Sequence, residues 1–118
     1  MRATLYLSAC EFAGKWLDAV EPTTWPVRIS RDMEAGPVRA VYIVCDWGGR
    51  VLYVGSTVTG VRNRLRQHCA DVERTLDWSE VWIIPLGDNT PLAEVRRAEG
   101  LIGLALRPLR NRALPKVS

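Results

Sequence analysis

Tyr42 and Tyr53 stand eleven residues apart in the apolar tripeptides Val41-Tyr42-Ile43 and Tyr53-Val54-Gly55, and Arg64, His68, Glu99 and Asn111 follow them. Each has an ordinary explanation when taken alone: strand tyrosines pack, and a helix carboxylate pairs with a nearby arginine such as Arg96 or Arg107. The order and spacing carry the information. Cleaving a phosphodiester needs a positioned water, positive charge at the phosphoryl oxygens and stabilisation of the departing oxygen. Two phenols, a guanidinium, an imidazole and a carboxylate can divide those tasks.

They can do so only if their elements converge. Ala40 to Cys45 and Val51 to Val54 are β-branched and aromatic runs around Asp46-Trp47-Gly48-Gly49, a hairpin signal. A four-residue loop sets Cys45 against Arg50 and Tyr42 against Tyr53, with both phenols on one face. A five-residue loop sets them against Val54 and Ile43, on different faces. Gly60 to about Thr75 reads as a helix with Val61, Leu65, Cys69 and Val72 inward and Arg62, Arg66 and Glu73 outward. Arg64 and His68 share one side of it at i, i+4.

Glu80 to Ile84 is a third strand, stopped by Pro85. Thr90 as N-cap and Pro91 in the first turn open a further helix, with Leu92, Val95, Ala98, Ile102 and Ala105 as its apolar stripe and Glu99 at the stripe's edge. Pro108 ends that helix, and Leu109 to Leu114 forms a final segment carrying Asn111. Ahead of the tyrosines, Ala9, Phe12, Ala13, Trp16, Leu17 and Val20 follow one helical face from Ser8 as N-cap. Glu21 to Pro26 ends this helix, and a short extended piece, Val27 to Ile29, follows.

A chain of 118 residues has room for one compact domain. Within it, residues 1–37 form an extension with the amphipathic helix, and 38–118 hold the candidate site. Cys10, Cys45 and Cys69 are spaced for neither a zinc site nor a disulfide framework, so free thiols in a reducing, cytoplasmic setting are expected. Leu7-Ser8-Ala9-Cys10 reads like a lipoprotein cleavage box, but the apolar run before it is shorter than the roughly 7 to 15 residues of a secretory core. No apolar stretch reaches the roughly 18 residues of a membrane span. Residues 1–49 hold five basic and six acidic side chains, and residues 50–118 hold eleven and seven, with arginine supplying fourteen of the sixteen basic residues. Arginine suits phosphate, but a GC-rich coding sequence enriches it too, so charge alone does not choose the partner.

The ordered set resembles the GIY-YIG nuclease family, from Val38 to about Asn111. The resemblance implies a small, mainly antiparallel three-stranded sheet flanked by helices, here with an extra amino-terminal helix. It implies a divalent-metal-dependent DNA endonuclease using Mg²⁺ or Mn²⁺. Glu99 becomes the metal ligand, Arg64 the clamp on the scissile phosphate, and Tyr42 the general base or the residue aligning the water. Tyr53 contacts a phosphate oxygen or orders the nucleophile, and His68 is an auxiliary acid-base or phosphate contact. Gly55 and Asn111 are structural residues near the site, and Arg62 and Arg66 contact DNA. An unperturbed phenol has a pKa near 10, so Tyr42 as a base requires Arg64 and the metal to favour phenolate. Val41 replaces the family's first glycine, Ser56 stands where many members have lysine, and one extra residue separates Tyr53 from Arg64, which leaves Arg62 as a second claimant. The alternative from another class is a non-catalytic nucleic-acid-binding module on the same fold, and a third is an interaction protein using the Trp-rich amino-terminal helix. Monomer and homodimer both stay open.

Overall fold

The computed structural model of the protein describes residues 1–19, 26–30, 32–70 and 72–108. In chain order the elements are α1 (Ala3–Cys10), a 3-10 stretch (Glu11–Trp16), β1 (Val27–Arg28), β2 (Ala40–Cys45), β3 (Val51–Thr57), α2 (Val61–Cys69), α3 (Val72–Thr75), β4 (Glu80–Pro85) and α4 (Leu92–Leu106). The fold is α/β, with an antiparallel sheet ordered β1-β4-β2-β3. It has four strands where three were expected, because Val27 and Arg28 pair with Val81 and Glu80. A two-residue strand is defined by its partner, not by any period in its own sequence.

Strand β2 is buried at all six positions, as expected of an inner strand covered on both faces. Its alternate side chains feed two cores. Val41, Ile43 and Cys45 join Trp82, Ile84 and Val54 beneath α1 and α4, with Tyr6, Ala9, Val95, Ala98 and Ile102. Ala40, Tyr42 and Val44 join Val81 and Leu52 beneath α2, with Val61 and Leu65. Val41, where the family has glycine, therefore packs on the face away from Tyr42.

Of the two loop lengths, the hairpin takes the five-residue one. Asp46 Oδ1 accepts from the backbone N–H of Gly48 and of Arg50, both at 2.9 Å, which draws Arg50 into the turn and sets Cys45 opposite Val51. A register shift between Val44 and Cys45 follows, and Val44 then faces Tyr53 while Tyr42 faces Gly55. A bulge at Leu52 thus offsets the longer loop and returns both tyrosines to one face.

The helices also differ from their expected limits. α1 begins at Ala3, so Ser8 lies inside it, and Gly14 at φ 57° interrupts the 3-10 stretch in a conformation that side chains rarely adopt. The chain then crosses to the sheet: Gly87 N–H donates to Trp16 O and Asp18 N–H to Pro85 O, both at 2.9 Å. Phe12 points outward, 42 % exposed. α2 stops at Cys69, and Val72 in α3 is exposed rather than part of the stripe, because α3 packs chiefly against α2. The Thr90 hydroxyl donates to Gly87 O at 2.6 Å instead of capping α4. Leu92 and Ala105 are exposed. Fifteen residues make α4 about 22 Å long, and its buried residues run from Val95 to Gly103. All three cysteines are free thiols, and among the described residues no helix is long and apolar enough to cross a membrane.

β1 pairs only with Val81 and Glu80, and beyond its end the Tyr6 hydroxyl donates to the carbonyl of Ile83. This bond ties α1 to the sheet. Tyr6→Phe keeps the buried ring and deletes the donor, so the protein should lose about 1 to 2 kcal/mol. The shift in urea midpoint at unchanged m-value measures it, and an unshifted midpoint would show that packing alone holds α1.

Candidate active site

An inner-strand tyrosine can point its hydroxyl towards the sheet edge only by crossing its neighbour. Tyr42 does this over Gly55. A Cβ built on Gly55 would lie 2.5 Å from the Tyr42 hydroxyl oxygen, 2.6 Å from its Cζ and 2.7 Å from Cε1 of Tyr53. Gly55 is required for passage of the two rings, since its backbone is outside the left-handed region.

The far end of the phenol is fully buried and must find partners. It lies 3.0 Å from His68 Nε2 and is hydrogen-bonded by Arg64. The i, i+4 spacing on α2 delivers both from one helix side. Tyr53 packs alongside: its ring centroid is 6.1 Å from Tyr42, 5.0 Å from His68 and 5.5 Å from Trp78. Trp78 also lies 5.4 Å from His68 and closes the aromatic cluster. Nothing in the loop before β4 marks it as a neighbour of β3 and α2.

Burial, above all, pushes the Tyr42 phenol far above its usual range, and the neighbouring Tyr53 adds to the rise. Arg64 opposes this and loses. Arg64's charge by itself therefore does not favour phenolate; as a neutral hydroxyl Tyr42 can donate to His68 Nε2 while accepting from Arg64.

Glu99 arrives from the opposite layer. α4 packs on the other face of the sheet, and Ser56 of β3, paired with Val41, points to that side. The Ser56 hydroxyl and backbone N–H donate to the Glu99 carboxylate. The two sets meet around the C-terminal end of edge strand β3, at a cleft of about 370 Å³ lined by Ser56, Thr57, Val58, Thr59, Arg64, Gln67, Leu92, Arg96 and Glu99. Arg64 is the junction: it lines this cleft, contacts the phenol behind it, and donates to Gln67 Oε1 at 2.8 Å. Thr57 fixes the approach, its hydroxyl donating to Gly60 O at 3.2 Å and accepting from Thr59 N–H at 3.1 Å.

Arg62 and Arg66 are not brought to this cleft. Two residues turn a helix by roughly 200°, so they line a separate apolar hollow with Ile29, Met33, Leu65 and Cys69. Asn111 lies outside the described residues. Ser56, Gln67 and Arg96 were missed as lining residues. For Arg96 a signal existed, since it precedes Glu99 by three on one helix and so shares its side.

Among the described residues Glu99 is the one carboxylate lining the cleft, and no cluster of three or more His, Cys, Asp or Glu could form an all-protein metal cage. One carboxylate at an open cleft fits the way Mg²⁺ is usually held, through one or two carboxylates with water and substrate phosphate oxygens completing the shell. Glu99 is the residue that would hold it.

The stretch 39–84, which includes Tyr42, Tyr53, Arg64 and His68 but ends before Glu99, matches the family model of the GIY-YIG catalytic domain. No curated protein and no solved structure matches the chain.

Two predictions follow from the geometry. Gly55→Ala should cost about 1 to 3 kcal/mol through overpacking against Tyr42 and Tyr53, with a smaller penalty in a Tyr42→Leu background, where the ring has gone. Equal penalties in both backgrounds, read from urea unfolding, would mean that the glycine serves the backbone instead. The second concerns Glu99, whose carboxyl is raised above the usual range first by burial, against the opposing pull of Ser56, Arg64 and Arg96. A carboxyl with a raised folded-state pKa gives a stability contribution that is present below the unfolded pKa and lost as pH rises through the folded one. Glu99→Gln should therefore gain stability over wild type at pH 7 and lose that advantage towards pH 4. Thermal unfolding across that range tests the sign.

Proposed function

We propose that this small GIY-YIG domain protein is an endonuclease that hydrolyses phosphodiester bonds of DNA with a divalent cation, Mg²⁺ or Mn²⁺, held at Glu99. The observation that carries the reading is the junction at Arg64, which joins the cleft containing Glu99 to the buried Tyr42 and the half-buried His68. Arg64 receives the scissile phosphate and spreads positive charge over its oxygens. As the phosphate draws the guanidinium towards the cleft, the phenol oxygen gives up that donor and takes the attacking water in its place.

The neutral phenol then serves as a relay. Tyr42 accepts the proton of the water while its own hydroxyl proton passes to His68 Nε2, 3.0 Å away, so the phenolate that burial disfavours never accumulates. Tyr53 borders His68 and orders the same surface. What the cation supplies when bound is stabilisation of the departing 3′ oxygen. Ser56 donors orient Glu99 for that task. The three free thiols accord with a reducing, cytoplasmic setting.

Glu99→Gln should retain DNA binding and lose cleavage, because the volume stays while the charge that holds the cation goes. Tyr42→Phe should bind equally and cleave about 10² to 10⁴ times more slowly. Plasmid, branched and single-stranded DNA with and without Mg²⁺ are the substrates, and thermal unfolding checks each variant. Mg²⁺-dependent cleavage by well-folded Glu99→Gln would remove its role as ligand. DNA binding by wild type with no cleavage of any substrate would establish the non-catalytic binding module instead.

A further inference from the structure

Among the described residues, the charged ones lining the cleft are Arg64, Arg96 and Glu99. Arg64 is committed on two sides, to the Tyr42 phenol and to Gln67 Oε1 at 2.8 Å. With Glu99 ionised, Arg64 and Glu99 cancel, and Arg96 supplies the remaining positive charge among these three. Arg96 is exposed, forms no hydrogen bond or ion pair among the described residues, and lies close enough for its charge to act on Glu99. Across from it Ser56 is occupied with the carboxylate and offers no cation.

We infer that Arg96 is a second phosphate-binding residue of the cleft, contacting the DNA backbone from α4 while Arg64 contacts it from α2. The assignment rests on the endonuclease reading and adds to it a residue beyond the matched stretch. A guanidinium with uncommitted donors offers a phosphate the paired N–H···O geometry that Arg64 can give only by releasing a present partner. Its position one helical turn before Glu99 puts the two on one side of α4, so DNA gripped by Arg96 is presented to the carboxylate. Ser56 and Arg96 divide two tasks: the serine orients Glu99 and the arginine supplies the cation.

The test is binding of a short fluorescent DNA duplex in EDTA, across a salt series, by wild type and by Arg96→Gln, Arg96→Lys and Arg50→Gln. Arg50 is exposed at the hairpin and paired with Asp46 at 2.9 Å, so its replacement removes one charge without touching the cleft. Loss of one phosphate contact on a duplex should lower the slope of log K against log salt by about 0.9, which makes the gap between wild type and Arg96→Gln shrink about 3.5-fold from 50 to 200 mM salt. Arg96→Lys should keep the wild-type slope, and Arg50→Gln should leave it unchanged. A wild-type slope in well-folded Arg96→Gln, or an equal drop in Arg50→Gln, would overturn the assignment while leaving the endonuclease reading in place. Wild-type protein that neither binds nor cleaves DNA would overturn both.

Discussion

The structure depends on one buried hydroxyl. Tyr42 sits on an inner strand with no solvent exposure, and an unpartnered phenol there would cost about 1 to 3 kcal/mol. Its partners come from α2, and its path to them crosses Gly55. The bulge that keeps Tyr53 on the same face, the glycine that lets the rings cross, and the seating of α2 by Val61 and Leu65 all serve that one arrangement. None can change without moving the hydroxyl.

The two faces of the sheet have different contents. α1 and α4 cover one face with an apolar layer anchored by Tyr6, Val95 and Ile102, while α2 brings Arg64 and His68 over the other. Chemistry from both layers can meet only around a sheet edge, and edge strand β3 provides it. Ser56 faces α4 and Thr57 braces the start of α2, so consecutive residues of β3 serve opposite layers through the simple alternation of a strand. Glu99 is raised by burial, which means that its ionised form lowers stability at neutral pH. A carboxylate kept in such a position is better explained by what it binds than by what it stabilises.

Much of this could be read from the chain. The β-branched runs gave β2, β3 and β4, the 3.6-residue period gave α2 and α4, and the i, i+4 relation placed Arg64 and His68 on one side of a helix. Less legible were features defined by contact with distant residues: the two-residue strand β1, the start of α1 at Ala3, and the end of α2 at Cys69. Trp78 entered the aromatic cluster for the same reason, through tertiary packing with no local signal.

The sequence by itself determined which groups exist and which share an element, because strand alternation and helical period are local properties of the backbone. It left open whether Tyr42 and Tyr53 share a face, since that depended on the loop length and on a bulge, and two one-residue shifts cancel. Only the tertiary structure decided that Arg64 by itself does not favour phenolate at Tyr42, because burial is a property of all the layers packed around a group and outweighs the guanidinium beside it. It also decided that Arg64 and Arg96 face the cleft while Arg62 and Arg66 line another hollow. A helix has one rotational phase, and the buried Val61 and Leu65 set it for α2 against the sheet.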